Sequence, residues 1–346
     1  GLSKEPGQFY GVCQMVRLAL LGAGRIGRVH ARAISMLSDA HLKYVFDPMA
    51  DASRVVVDAY GAISAPIEDI LDDSEVDGVL ICTPSDQHAD QIKRAIKVGK
   101  AVFCEKPIST DLDMTRQVLE VVNKYQGCLM LGFQRRFDSH FMALKAKLSE
   151  AAIGSLEQLL IISRDPSPPP YSYMRASGGL FKDMMIHDFD MARWLVDEKI
   201  VSVYAIGGAI IDEKTRTEGK DIDTASVILT TETGKQITIL NSRRAAVGYD
   251  QRVEAHCANA TLQVNSVRET NLVVSDSSGI GESPLENFFM TRYQDAYRRE
   301  MEHFVECLKV GRTPLVTGSD GLEAVRLAEA ALESSGTQKS VSLLDD

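Results

Sequence analysis

Val16-Arg-Leu-Ala-Leu-Leu21-Gly22-Ala-Gly24-Arg25-Ile26-Gly27 is the stretch whose reading decides the fold. An almost wholly apolar run passes directly into three glycines spaced GxGxxG, and a helical pattern follows from Arg28. A lone GxGxxG is a weak signal, but strand, glycine turn and helix in this order open a doubly wound sheet. Gly22 permits the tight turn, Gly24 lets the backbone approach a pyrophosphate, and Gly27 lets helix and strand pack closely. Gly22, Gly24, Arg25, Ile26 and Gly27 are therefore expected to hold a dinucleotide at the amino end of the helix.

The alternation continues outward to about Phe133. Apolar runs at Leu42 to Phe46, Gly78 to Cys82, Ala101 to Cys104 and Cys128 to Phe133 are separated by amphipathic stretches. One of these, Ala89 to Val98, puts Ile92, Ala95 and Ile96 on one face. Strands that are apolar throughout, alternating with helices, imply a parallel sheet covered on both sides. Asp47 closes the second run, 20 residues beyond Gly27. A carboxylate there can accept hydrogen bonds from the adenosine ribose and repel a 2′-phosphate, which favours NAD over NADP. Arg25 and Arg54 pull the other way, and Asp47-Pro48 is also ordinary turn chemistry.

The second half changes character. A helical stretch from Phe137 to Leu148 leads to a strand at Leu156 to Ser163 and a proline loop at Asp165-Pro-Ser-Pro-Pro-Pro170. A helix-like segment spans Leu180 to Val196. Strand-like runs follow at Val201 to Ile211, Ala225 to Thr231, Gln236 to Ser242, Arg252 to Cys257, Thr261 to Val267 and Asn271 to Ser275. Thr233-Gly234 marks a hairpin. Two long amphipathic segments, Arg292 to Val310 and Gly321 to Ser334, close the chain. The expected fold is α/β: a Rossmann domain over 15–135, then an α/β domain over 136–346 with a large, mostly antiparallel open sheet, whose last helix packs back on the first domain.

Composition narrows the partners. A chain of 346 residues suits about two domains. Its net charge of −10 and lack of a basic stretch argue against nucleic acid, since neutralising phosphates needs clustered Lys and Arg. No apolar run approaches the ~20 residues needed to cross a bilayer, and no lipidation motif is present. None of the six cysteines (Cys13, Cys82, Cys104, Cys128, Cys257, Cys307) forms a CxxC pair, so they read as reduced and structural. The opening residues lack the basic-then-apolar order of a secretory signal, which suggests the cytoplasm.

Two further stretches carry chemistry. Ala101-Val-Phe-Cys-Glu105-Lys106-Pro107 puts a lysine at the carboxyl end of a buried parallel strand, the edge where open α/β sheets bind ligands. Such a lysine can hold a substrate hydroxyl and stabilise developing alkoxide charge; a solvated lysine at a strand end is the bland alternative. In Gly178-Gly179-Leu-Phe-Lys-Asp183-Met-Met-Ile-His187-Asp188-Phe-Asp190-Met-Ala-Arg-Trp194-Leu195, a helix would place Asp183 and His187 on one face. Histidine suits removal of a hydroxyl proton while hydride leaves the carbon, and Asp183 can orient the ring or bind a neighbouring hydroxyl. A metal held by Asp183, His187, Asp188 and Asp190 is disfavoured, because successive helical residues face different ways. A buried structural histidine is the other alternative.

Together these motifs resemble the Gfo/Idh/MocA oxidoreductases. Ser163-Arg-Asp165-Pro, Gly132-Phe-Gln-Arg135-Arg136-Phe-Asp and Ser242-Arg-Arg244 through Gly248-Tyr249-Asp-Gln-Arg252 resemble the inositol 2-dehydrogenases among them. The resemblance spans about Val16 to Gly321. It implies a Rossmann domain and a second domain whose open sheet packs in homodimers or homotetramers. It implies Lys106, Asp183 and His187 as the catalytic set, with Thr83, Pro84, His88, Glu105 and Arg136 lining the cofactor and substrate cleft, and Asp165 and Tyr249 facing a polyol. No metal is implied. The chain departs from the family at His256-Cys-Ala-Asn259-Ala-Thr, where relatives carry a glycine turn; Asn can take the left-handed conformation and keep the hairpin.

The expected activity is NAD-dependent oxidation of a myo- or scyllo-inositol hydroxyl to the 2-keto-inositol, with NADH formed. A pyranose dehydrogenase is the rival within the fold. A regulator that binds NAD without turnover is a third possibility, and a glycosidase using tightly held NAD a fourth. Retention of Lys106 with Asp183 and His187 argues against the regulator.

Overall fold

The structure is a computed structural model that describes residues 15–344; Cys13 lies outside the described residues. Six parallel strands form the first sheet: β1 (Val16–Leu21), β2 (Ala40–Phe46), β3 (Ile63–Ser64), β4 (Gly78–Ile81), β5 (Ala101–Glu105) and β6 (Leu129–Gly132). Their spatial order, β3-β2-β1-β4-β5-β6, is that of a dinucleotide-binding sheet. All four residues of β4 are buried, as a central parallel strand covered on both faces must be. The order reverses between β1 and β4, so a crevice opens at their carboxyl ends. In the helix Ser85–Lys97 the buried residues include Ile92, Ala95 and Ile96, the face expected from their spacing.

The second sheet contains β7 (Leu156–Arg164), β8 (Ile200–Gly208), β9 (Thr224–Thr231), β10 (Gln236–Ser242), β11 (Asp250–Cys257) and β12 (Thr261–Val264). A separate hairpin of β13 (Val273–Asp276) and β14 (Gly279–Glu282) follows, and β15 (Val341–Ser342) ends the order β12-β11-β7-β10-β9-β8-β15. The pairing is antiparallel except between β7 and β10, which run parallel. That parallel pair is invisible to local pattern, because the chain between the two strands makes the proline loop, four helices and β8–β9. Thr233-Gly234 does form the turn between β9 and β10, with Gly234 at a φ of 90°.

Leu159, Ile161, Val203, Ala205, Val227, Leu229, Ile237 and Ile239 fill one face of this sheet, under the helices Ile186–Val196 and Gly318–Thr337. On the alternate positions Tyr204, Ile206 and Ile228 are exposed. The expected segment Leu180 to Val196 is two helices, Gly179–Asp183 and Ile186–Val196, broken at Met184-Met185. The β11–β12 hairpin survives without a glycine, but Asn259 is not left-handed. Instead its backbone N–H donates to Ile153 O (3.0 Å) and its side chain to Ala152 O (3.2 Å), so the turn is held by its neighbour.

The last two long helices return to the first sheet. Gln294–Val310 packs on the helix Arg25–Ser35 and on β1. Gly318 and Gly321 bring the final helix so close to β6 that a Cβ would stand 2.3 Å from a Leu119 methyl and 2.1 Å from a Leu131 methyl. Among the described residues no helix is long and apolar enough to cross a membrane, and Cys82, Cys104, Cys128, Cys257 and Cys307 are free thiols.

Candidate active site

The glycine loop is built as its spacing requires. Gly22 has a φ of 95°, and a Cβ there would lie 2.6 Å from the Cys82 carbonyl carbon. At Gly27 a Cβ would lie 2.0 Å from the Gly22 carbonyl oxygen, so neither position accepts a side chain. Gly24, the residue before the helix Arg25–Ser35, faces open space, and no side chain caps the helix. Those backbone N–H groups and the helix dipole are what a pyrophosphate needs. Asp47 leaves β2 and accepts from Ala23 N (2.8 Å) and Met49 N (2.9 Å), which fixes its carboxylate beside the loop. Arg25 is exposed at the first turn, its guanidinium 5.5 Å from the Phe288 ring and 5.6 Å from the Phe289 ring. The cradle fits NAD: a bare helix terminus for the diphosphate and a carboxylate where the adenosine ribose would lie.

The ends of β4 and β5 form the opposite wall. Thr83 Oγ1 donates to Gln91 (2.7 Å), and Pro84 starts the helix Ser85–Lys97. His88 is buried, with its ring nitrogens 2.7 Å from Pro107 O and 2.8 Å from Thr83 O. It therefore ties the two strand ends together from behind and does not present its ring to the cleft. Glu105 takes a 2.7 Å hydrogen bond from or to His30 Nε2, which links the nucleotide helix to the lysine strand. Gly132 makes room for that carboxylate; a Cβ would sit 3.1 Å from it.

Lys106 projects from this edge toward the second domain. Its Nζ donates to the Asp183 carbonyl (2.8 Å) and approaches the Asp183 carboxylate at 3.4 Å. Tyr173 Oη donates to the same carboxylate oxygen at 3.0 Å. The helix breaks between Asp183 and His187, so His187 N bonds to Met184 O (3.4 Å) and the single continuous helix expected across the two is not formed; the ring of His187 meets the edge of Phe133 at 5.9 Å. Its Nδ1 is buried with no hydrogen-bond partner among the described residues. Burial, then the charges of Lys106 and Arg135, push the imidazole well below its ordinary value, so it is neutral at physiological pH.

Asp188 and Asp190, the other two candidate ligands, turn away from Asp183. Asp188 takes Arg135 at 2.6 Å, and Asp190 takes Arg136 at 2.6 and 2.9 Å. Arg136 also reaches Asp320 (2.9 Å) and is itself buried, so it braces the final helix and does not line the cleft. Its sequence position beside β6 was informative, but the direction of its side chain was not. Tyr249 is buried, packed edge-on against Tyr293 at 6.1 Å and close enough to Asp165 and Arg135 to interact with their charges. Asp165 stands at the start of the proline loop and keeps partial exposure; burial pushes it up to about 6, against the pull of Arg243.

Sequence reasoning passed over three groups. His30, eight residues into the glycine motif, shows no local sign of its bond to Glu105. Asp221 and Arg243 come from segments far from Asp183 in sequence, and only the fold brings them beside it. The doublet Arg243-Arg244 was the one available signal.

Comparisons with known proteins agree with this architecture. Residues 16–133 match the oxidoreductase family described by its NAD-binding Rossmann fold, and residues 141–263 match the GFO/IDH/MocA C-terminal domain. The inositol 2-dehydrogenase of Rhizobium meliloti is 45% identical across 95% of this chain and 99% of its own. The crystal structure of a myo-inositol dehydrogenase from Corynebacterium glutamicum superposes with a TM-score of 0.92 at 39% identity, covering 96% of this chain and 100% of that one. The scyllo-inositol dehydrogenase of Lactobacillus casei, solved with NAD(H) and scyllo-inositol, gives 0.87 at 27% identity over 95% and 99% of the two chains. An NAD-type glycine cradle facing a lysine–aspartate–histidine cluster, in both matched domains and along nearly the full length of such relatives, makes this chain a member of the Gfo/Idh/MocA oxidoreductase family.

Proposed function

We infer that the chain is an NAD-dependent inositol 2-dehydrogenase, oxidising one ring hydroxyl of myo- or scyllo-inositol to the ketone. The observation that carries the reading is the meeting of Lys106 Nζ with Asp183 (2.8 and 3.4 Å), beside a neutral His187, on the sheet edge that also bears the glycine loop. Several curated relatives that match along the length of the chain act on inositols by name.

NAD, when bound, supplies the hydride acceptor. The residues supply the rest. His187, held neutral by burial, would take the hydroxyl proton of the carbinol at Nε2. Lys106 donates to the same oxygen and offsets the alkoxide charge before the carbonyl forms. Asp183 holds Lys106 in place and takes a neighbouring hydroxyl. Gly22, Gly24, Arg25, Ile26, Gly27, Asp47, Thr83, Pro84 and Glu105 bound the cofactor, and Asp165 accepts from a distal ring hydroxyl. The proposed division into an NAD-binding unit over 15–135 and a substrate and assembly unit over 136–346 is supported by the separation of the two sheets. The enzyme works in the cytoplasm as a homodimer or homotetramer, through the sheet face bearing Tyr204, Ile206 and Ile228.

The test is NADH formation against a panel of inositols and aldoses with purified protein. Turnover of myo- or scyllo-inositol is expected; turnover of an aldose with none of any inositol would overturn the reading.

A further inference from the structure

Arg243 is 2% exposed, and its Nε and Nη2 are buried with no hydrogen-bond partner among the described residues. Three carboxylates surround it, each from a different segment. Nη2 lies 3.6 Å from both Asp183 Oδ2 and Asp221 Oδ2, and Nη1 lies 3.9 Å from Asp165 Oδ2. A guanidinium that pairs with none of them at bonding distance, yet faces all three, is placed to balance charge among them. Its own backbone N–H is fixed to Asp223 O at 2.8 Å, so the side chain leaves a rigid strand end.

The carboxylates differ in what they hold. Asp221 Oδ1 accepts from Leu180 N at 2.9 Å, and Gly179 comes so near that a Cβ would lie 2.7 Å from that oxygen. Gly178 and Gly179 both have positive φ, at 88° and 84°, which only glycine adopts without strain. The Gly178-Gly179 turn thus exists to seat the Asp183 segment on Asp221, and Arg243 bridges the two acids. Asp165 closes the third side.

We propose that Arg243 is a positioning residue of the reaction: shared by Asp183, Asp221 and Asp165, it turns the Asp183 carboxylate toward Lys106 and the ring and offsets the repulsion among the three acids. This rests on the catalytic assignment of Asp183 made above. Lys106 and Tyr173 face Asp183 from the other side, and Arg135 and Asp188 face Asp165. Burial raises both Asp165 and Asp221, and Arg243 opposes the rise in each. Without the guanidinium the acids confront one another across a dry wall, and protonation follows at higher pH.

The experiment compares wild type, R243Q, R243K and D183N for turnover from pH 5 to 9, with NAD affinity by fluorescence and thermal melting alongside. R243Q is expected to bind NAD normally, to lose turnover about 10–100-fold, as for a misplaced reacting group, and to show its acid limb about one pH unit higher. R243K keeps a positive charge but not the fork, so its limb should stay near the wild-type position while turnover still falls at least about 10-fold. If R243Q does not fold, R243K carries the test, and wild-type turnover in it overturns the proposal. An unmoved acid limb in R243Q beside an inactive D183N also overturns it, leaving Arg243 a structural ion. Near-normal turnover in D183N would instead bring down the catalytic assignment on which the proposal stands.

Discussion

In the proposed reaction Lys106 and His187 divide one task between them, and their substitutions should separate it. Lys106→Ala and His187→Ala are each expected to lower turnover about 100-fold or more, the usual loss when a positioned proton-transfer group is removed. NAD titration of His187→Ala by fluorescence should match wild type, because that residue belongs to the second domain's helix. Acid dependence points elsewhere. His187 is already held below its ordinary range by burial and the Lys106 charge, so it does not titrate near neutrality. Asp165 does, at about 6: protonated below that pH it cannot accept twice from the ring, and ionised above it can. The value of kcat/KM should therefore fall as pH drops through 6, and Asp165→Asn should flatten that limb while lowering the plateau. A limb that persists in Asp165→Asn would move the titrating group to another residue.

The strand–turn–helix unit of β1 was legible before any coordinates, since sterics alone dictate glycine at 22 and 27. Lys106 was legible for a related reason: a charged residue at the end of a buried parallel strand has few places to go. Arg136 and His88 were found by motif, yet their polar atoms are spent on Asp190 and Asp320 and on strand-end carbonyls, because a motif fixes backbone position and packing decides where the side chain turns. Arg243 and Asp221 were hidden by distance along the chain, as was the parallel pairing of β7 with β10. The break at Met184-Met185 was hidden too, since both flanking segments carry helical spacing. Asp47 illustrates an element-scale consequence. Its carboxylate is bonded to Ala23 N, so it serves the turn as well as the ribose contact proposed for it. Asp47→Ser should narrow the preference for NAD over NADP mainly by weakening NAD, which the ratio of the two Kd values measures; equal wild-type use of both cofactors would contradict the assignment.

At the scale of the molecule, the second sheet covers one face with helices and leaves apolar groups on the other. Tyr204, Ile206 and Ile228 are 37%, 60% and 49% exposed, on adjacent strands β8 and β9. An apolar strip on a flat sheet is costly in water and is commonly covered by another copy of the chain. Light scattering at micromolar concentration is expected to give a dimer or tetramer. Ile206→Asp with Ile228→Asp should reduce it to a monomer that still binds NAD, whereas a wild-type monomer would remove the basis for the proposed assembly.

The return of the last two helices to the first sheet bears on how the chain matures during synthesis. The ribosome delivers the glycine loop early, yet β6 and the nucleotide helix lack their covering until Gln294–Val310 and Gly318–Thr337 emerge. At ~5–20 residues per second the intervening stretch takes on the order of 15–60 s. For that interval the nascent cofactor site has its contact residues but not its packing. A stalled or truncated product lacking those helices is expected to hold the whole glycine motif and still fail to retain NAD, so competence to bind arrives only once those two helices have been made.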